Sequence, residues 1–352
     1  MSTSRYQGEN DIGLPTIPSG NVLNRSGYAC AMQNLVTSWR SSWASSGPGA
    51  TDPLAPFGIV TLAAGTSEGH AAELLDFRIA QSGSYGYAPN PVMPNVYVAQ
   101  AYDLGDPWQS SCNKTVCGQP GSPWSTSGSQ WYMGPIHPRV KHQLGHRLAY
   151  ALEALEADIG VAAGAAATRH SSSGPVFAGC RSSSGGLTLM FNEALMVGSD
   201  GLDVRKYALG RNFSALDVQV TPANGGNGSW ETVDFLPATA TQSSIGVDLA
   251  RVAAGATVTG VRYAFGGGEL VGLAALGEGQ VIGDDGLPGR FGRGRENGMG
   301  RACCGGVDGV NTPCPPESCP LFGSGSSLPA VPFVATISGG KCACVAPFDC
   351  SQ

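Results

Sequence analysis

The sequence predicts two unlike units in tandem: an α/β layer over residues 1–158 and a β-rich, sandwich-like unit over 159–340, followed by a Cys-containing tail at 341–352. Three observations predict this. Apolar strand-like runs alternate with helix-patterned segments in the first part. Short strand-like runs separated by turn residues recur in the second. Composition is loop-rich, with 52 Gly and 24 Pro against only 13% charged residues, a balance better suited to strands than to long helices.

Taken in order, Met32 to Trp43 can form a helix, and Ala44 to Pro56 is a Gly/Ser/Pro-containing loop. Phe57 to Ala63 is a largely apolar run bounded by Pro56 and Gly65, the pattern of a strand buried on both faces of a parallel sheet. A short helix follows around Ala71 to Ile79. Tyr85 to Asn95 is a rigid Pro/Asn loop in which Asn90 and Asn95 read as turn-holding residues. It leads into Val96 to Tyr102, alternating Val and Tyr, a strand that ends at Asp103. After a long irregular stretch to Gly134, Leu144, Leu148, Leu152 and Leu155 recur at helical spacing, with Arg147, Glu153 and Glu156 off that stripe. Gly160 to Gly174 is a linker or a first strand. Then come candidate strands at Leu187–Phe191, Ala215–Val220, Thr232–Leu236, Ser244–Leu249, Thr257–Phe265 and Phe333–Ile337, with a Gly/Arg-rich insertion at 286–300.

A net charge of −6 gives no support for nucleic-acid binding, and no apolar run approaches membrane-spanning length. Eleven cysteines, with the sequons at Asn24, Asn113, Asn212 and Asn227, point to an oxidising compartment: a secreted, lysosomal or endomembrane-lumen setting. No signal peptide stands at Met1. Cys112 and Cys117 can close a small loop, and Cys303, Cys304, Cys314 and Cys319 can staple the β-rich unit. An odd cysteine count leaves at least one thiol unpaired or bonded to a segment outside this chain.

The most telling stretch is Gly134-Pro135-Ile136-His137-Pro138-Arg139. Proline is tolerated in the first turn of a helix because its missing N–H has no partner there. His137 is therefore expected on a stiff loop at a helix start, a suitable place for a general base. Asp103 and Asp106 lie at the end of a predicted strand, where sites of α/β sheets gather.

Several ordered motifs together resemble the sialate O-acetylesterases, carbohydrate esterases of the SGNH type. They are Tyr6-Gln7-Gly8-Glu9-Asn10, Leu35 to Arg40, Tyr85 to Asp106, the His137 segment, Val261 to Phe265, and Cys319-Pro320-Leu321 with Leu328 to Phe333. The resemblance implies a partial SGNH-like three-layer α/β domain and serine-esterase chemistry on O-acetylated sialic acid or another acetylated carbohydrate, with no cofactor. His137 would be the base, oriented by Glu9, Asp103 or Asp106. Gln7 and Gly8 would form the oxyanion hole, since a side-chain amide and a backbone N–H can both face a developing alkoxide. Arg78 and Gln81 match an Arg-x-x-Gln element that could hydrogen-bond a sugar, against the plainer reading of an exposed helix end.

The family's serine block is not matched, for no Gly-Gln-Ser or Gly-Asp-Ser occurs, and Gln-Gly-Glu begins at residue 7. The chain reads as the C-terminal part of a longer esterase, or a truncated reading of one, that would partner a missing N-terminal segment or another chain. In that case its sheet would expose an unpaired edge. Two other classes stay open. One is a non-catalytic glycan-binding or extracellular structural homologue. The other is an autonomous hydrolase using Ser67, since Gly65-Thr66-Ser67-Glu68-Gly69 follows a strand and precedes a helix. His142 and His146 stand at i and i+4, but Gln143 occupies the position where a zinc protease needs glutamate, so no metal site is assigned.

Overall fold

The computed structural model describes residues 3–11, 26–47, 51–63, 71–104, 141–162, 173–183, 186–196, 201–205, 215–226, 228–264 and 319–343. His137, Asp106, Ser67, the asparagines of the four sequons, the Gly/Arg-rich insertion and Cys112, Cys117, Cys303, Cys304 and Cys314 lie outside them.

Three short strands, β1 (Thr3–Tyr6), β2 (Phe57–Val60) and β3 (Val96–Ala99), pair in parallel in that order. Every residue of β2 and β3 is buried, as their near-continuous apolar runs require for a parallel sheet covered on both faces. Helix α1 (Ser26–Ala44) covers one part of it, placing Met32 and Val36 against Phe57, Ile59, Val96 and Val98. Helix α2 (Ala71–Gln81) packs beside α1. Helix α3 (Lys141–Ala162) sets Leu144 against Val60 and Ala99, and Ala151 and Leu155 against Tyr97. The alternation of strand and helix was legible. Strand β1 was not, because its four polar or small residues carry no apolar period. Among the described strands β1 pairs with β2 alone.

The second unit departs from the sandwich that the sequence suggested. Eight antiparallel strands close on themselves: β10 (Thr257–Tyr263), β12 (Phe333–Ser338), β13 (Lys341–Ala343), β4 (Phe177–Ser183), β5 (Gly186–Phe191), β9 (Ser244–Asp248), β8 (Ser229–Leu236) and β7 (Leu216–Thr221), which pairs back with β10. Alternation along β7 puts Leu216, Val218 and Val220 inside, where they meet Val261, Tyr263, Val233 and Phe235. Such alternation supplies one buried face per strand, which a sandwich and a barrel use equally. Closure depends on long-range pairings that no local pattern encodes. The ladder is thinnest between β13 and β4, with the single registered pair Lys341 and Arg181. The Cys180–Cys342 disulfide and the Ser182 N–H donated to the Gly340 carbonyl at 2.8 Å fasten the same seam. Residues 341–343, read from sequence as tail, are thus part of the barrel. A two-stranded ribbon of β6 (Leu202–Val204) and β11 (Leu321–Gly323) lies alongside.

The two units share a buried polar joint. Tyr102, two percent exposed, belongs to the barrel core, and its hydroxyl donates to the Ala330 carbonyl at 2.6 Å. Burial first, then neighbouring Tyr263 and Asp103, pushes its phenol well above the ordinary value. Tyr102 immediately precedes Asp103, so the end of β3 is anchored in the barrel.

Candidate functional site

Because β1, β2 and β3 run parallel, their carboxyl ends lie at one edge of the sheet, where sites of open α/β sheets form. That edge brings together Gln7, Gly8 and Glu9 after β1, Thr61 to Ala63 after β2, and Gln100 to Asp103 after β3.

Gln7 is held from three sides. Its Oε1 accepts from Arg5 Nη2 at 2.8 Å and from the Tyr28 hydroxyl at 3.0 Å, and its Nε2 donates to Asp11 Oδ2 at 3.1 Å. Burial drives the Tyr28 phenol well above its usual range, so it stays a neutral donor. Gly8 is buried with φ +128, a region that favours glycine. A Cβ there would collide with Phe77 and lie 2.8 Å from the Tyr28 hydroxyl. Gly8→Ala is therefore expected to cost about 3 kcal/mol of stability. An unchanged urea midpoint would mean that the Phe77 and Tyr28 rings move aside.

Arg78 and Gln81 are not an exposed helix end; they are 3% and 1% exposed. Arg78 donates from Nε to the Leu62 carbonyl and from Nη2 to the Ala63 carbonyl, each at 2.7 Å. Its burial pushes the guanidinium down to about 10, opposed by Tyr6, Tyr102 and Asp103, so it remains a cation at neutral pH. Gln81 accepts from Leu62 N at 2.9 Å and donates to the carbonyls of Gln7 at 3.1 Å and Val60 at 3.2 Å. Together they tie the ends of β1 and β2. Substituting Gln81 by Leu should remove the acceptor of the Leu62 amide and cost about 1–3 kcal/mol in a denaturant titration.

Asp103 has a fully buried side chain, and both its oxygens accept from Arg147, Oδ1 from Nη1 at 2.6 Å and Oδ2 from Nη2 at 2.8 Å. Arg147 Nη1 also donates to the Gln100 carbonyl at 2.7 Å. The sequence set Arg147 off the apolar stripe of its helix, yet it is 3% exposed. Its spacing was the available signal: it stands three residues after Leu144 and four before Ala151, both buried. Thr61 and Gln100 were also missed. Thr61 donates to Gln100 Oε1 at 2.8 Å and accepts from Ala101 N at 3.1 Å, joining the ends of β2 and β3.

Glu9 opens a short 3-10 turn, Glu9–Asp11, and is half-buried. Lys141, first residue of α3 and four residues beyond His137, stands with its Nζ 5.3 Å from the Tyr6 ring centroid. Partial desolvation lowers its ammonium, and the charge of Glu9 opposes that shift. The start of α3 and the Gln7-Gly8-Glu9 tip therefore share one end of the sheet. Asn90 holds a turn, donating to the Ser82 and Tyr87 carbonyls and accepting from Val92 and Met93 amides. His142 and His146 are exposed with ring centroids 4.2 Å apart. Among the described residues no group of three or more His, Cys, Asp or Glu is placed to hold a metal, and no helix is long and apolar enough to cross a membrane.

No protein-family model matches the chain. Over 151 residues, 43% of its length, it is 30% identical to the sialate O-acetylesterases of Homo sapiens and Pongo abelii. Over 147 residues it is 32% identical to that of Rattus norvegicus. These matches take in 23% and 21% of the relatives' lengths, so the chain spans less than a quarter of the curated proteins it resembles. A crystal structure of a carbohydrate acetylesterase from Xanthomonas citri is similar at a TM-score of 0.45 and 17% identity, covering 88% of this chain and 46% of that one. By the sequence similarity, the chain resembles ester hydrolases.

Proposed function

We propose that this chain supplies the base-bearing part of a serine-type carbohydrate O-acetylesterase acting on O-acetylated sialic acid or a related acetylated sugar in a secreted or lumenal compartment. The observation that carries the reading is that Lys141 and Leu144 of the first turn of α3 lie against Tyr6, Val60 and Ala99 at the carboxyl ends of β1, β2 and β3, where Gln7-Gly8-Glu9 follows β1, in a chain 30% identical over 151 residues to sialate O-acetylesterases.

In this reading a serine hydroxyl attacks the acetyl carbonyl while His137 takes its proton. The tetrahedral oxyanion rests on the turn after β1, and collapse releases the sugar hydroxyl, which regains the proton from His137. Water, deprotonated by the same imidazole, then attacks the acetyl-serine; its ester bond breaks, acetate leaves, and the serine oxygen takes back the proton from His137. The Gly8 amide is the better oxyanion donor, because the Gln7 side chain is already held by Arg5, Tyr28 and Asp11. Glu9 is the better orienting carboxylate among the described candidates, because both Asp103 oxygens serve Arg147. Asp106, outside the described residues, is the alternative. Arg78 and Gln81 act on the site through the backbone they hold, as positioning residues.

The test is acetate release from O-acetylated sialic acid. The 352-residue chain alone is expected to be inactive, and a fusion carrying a Gly-Gln-Ser-bearing segment ahead of β1 to be active. His137→Ala in that fusion should lower turnover by about 10³-fold or more. A folded but inactive fusion would favour the non-catalytic glycan-binding reading. Turnover by the chain alone that Ser67→Ala abolishes would establish the autonomous hydrolase instead.

A further inference from the structure

Two tryptophans stand four residues apart on α1 and face water, Trp39 at 39% and Trp43 at 49% exposure. Trp is a residue that folding usually covers. Their rings are nearly parallel, with 17° between planes and centroids 6.4 Å apart, a separation at which parallel rings are offset rather than overlaid. Trp39 is braced edge-on by Phe57, at 5.8 Å and 81°. Phe57 begins β2, so the pair lies at the amino end of that strand, away from the carboxyl edge that holds the candidate site.

Charge and area restrict what can bind there. Arg40 is the only charged residue of α1. Its guanidinium is committed to the carbonyls of Ala55, Pro94 and Asn95. Exposed Ser42 stands three residues after Trp39, and exposed Ser46, in the turn that closes the helix, three after Trp43, the spacing that makes side chains neighbours on a helix surface. A membrane surface or an anionic ligand would call for free cations. At these exposures two indoles offer on the order of 200 Å², well short of the ~800 Å² per partner of a stable protein interface. What fits is a small neutral ligand with a flat apolar face and a hydroxylated rim. The C–H groups on one side of a pyranose ring carry partial positive charge and are drawn to the negative face of an indole, while equatorial hydroxyls reach the serines.

We propose that the Trp39–Trp43 face of α1 is an accessory carbohydrate site for neutral pyranosides. It stands on the helix face alone and does not depend on ester chemistry, so either reading can fail without the other.

Isothermal titration of the whole chain with lactose, N,N′-diacetylchitobiose and mannobiose tests it, with free sialic acid as the anionic control. At least one neutral disaccharide is expected to bind with a millimolar Kd. Trp43→Ala should weaken that binding by about tenfold, and Trp43→Phe should retain part of it. Trp43 is the residue to change because Trp39 also braces Phe57, and an unchanged denaturation midpoint confirms the variant's fold. No heat with any neutral sugar, or binding that Trp43→Ala leaves intact, overturns the proposal. So does a loss in Trp43→Ala of self-association or of binding to phosphatidylserine vesicles, which would assign the face to a second copy or to lipid.

Discussion

Replacing Arg147 by Met is expected to destabilise the protein by about 3–5 kcal/mol, the cost of stranding a buried carboxylate without its partner. Asp103 has a fully buried side chain, and Arg147 satisfies both of its oxygens while also holding the Gln100 carbonyl. The double variant Asp103→Asn/Arg147→Met should cost less than the single Arg147→Met, because no charge is then left uncompensated. Urea denaturation of wild type, both single variants and the double variant measures the coupling. The result bears on the chemistry. Were the Asp103 carboxylate not held by Arg147 but free to orient His137, Arg147→Met would leave stability nearly unchanged. Equal midpoints for wild type and Arg147→Met would therefore return Asp103 to the catalytic candidates and displace Glu9.

The second large effect is at the barrel seam. Cys180 and Cys342 are 162 residues apart, so breaking their bond releases a long loop into the unfolded ensemble. The chain-entropy argument gives about 5 kcal/mol for a loop of that length. The local ladder offers little compensation, since β13 meets β4 through one registered pair. Cys180→Ser/Cys342→Ser should lower the denaturation midpoint strongly, and limited proteolysis should open between β13 and β4 first. A variant as stable as wild type would mean that the apolar interior of Leu187, Leu189, Phe191, Phe333 and Ala335 closes the barrel unaided. Among the described residues Cys30 and Cys319 are disulfide-bonded as well.

Legibility followed the strength of the local pattern. Helix α3 was readable because Leu144, Leu148, Leu152 and Leu155 repeat at 3.6-residue spacing. Strands β2 and β3 were readable because a strand buried on both faces must be continuously apolar. Strand β4, Phe-Ala-Gly-Cys-Arg-Ser-Ser, was hidden because small and polar residues carry no period. At the site, the Gln-Gly-Glu tip and Asp103 could be named in advance, but their partners could not. Arg147 looked like a surface cation until Asp103, 44 residues earlier, was brought beneath it.

What the sequence alone determined is the set of pieces: an α/β half with candidate residues at its strand ends, a β-rich half with one apolar face per strand, and an esterase likeness carried by ordered motifs. The tertiary structure decided how those pieces join. It closed the β-rich strands into a barrel, bound Asp103 to Arg147, buried Arg78 and Gln81 as ties between strand ends, and left Trp39 and Trp43 uncovered. Each of these outcomes depends on groups far apart in the chain meeting at hydrogen-bonding or van der Waals distance. A local period reports which side of a segment avoids water, and it carries no information about which distant segment will cover that side.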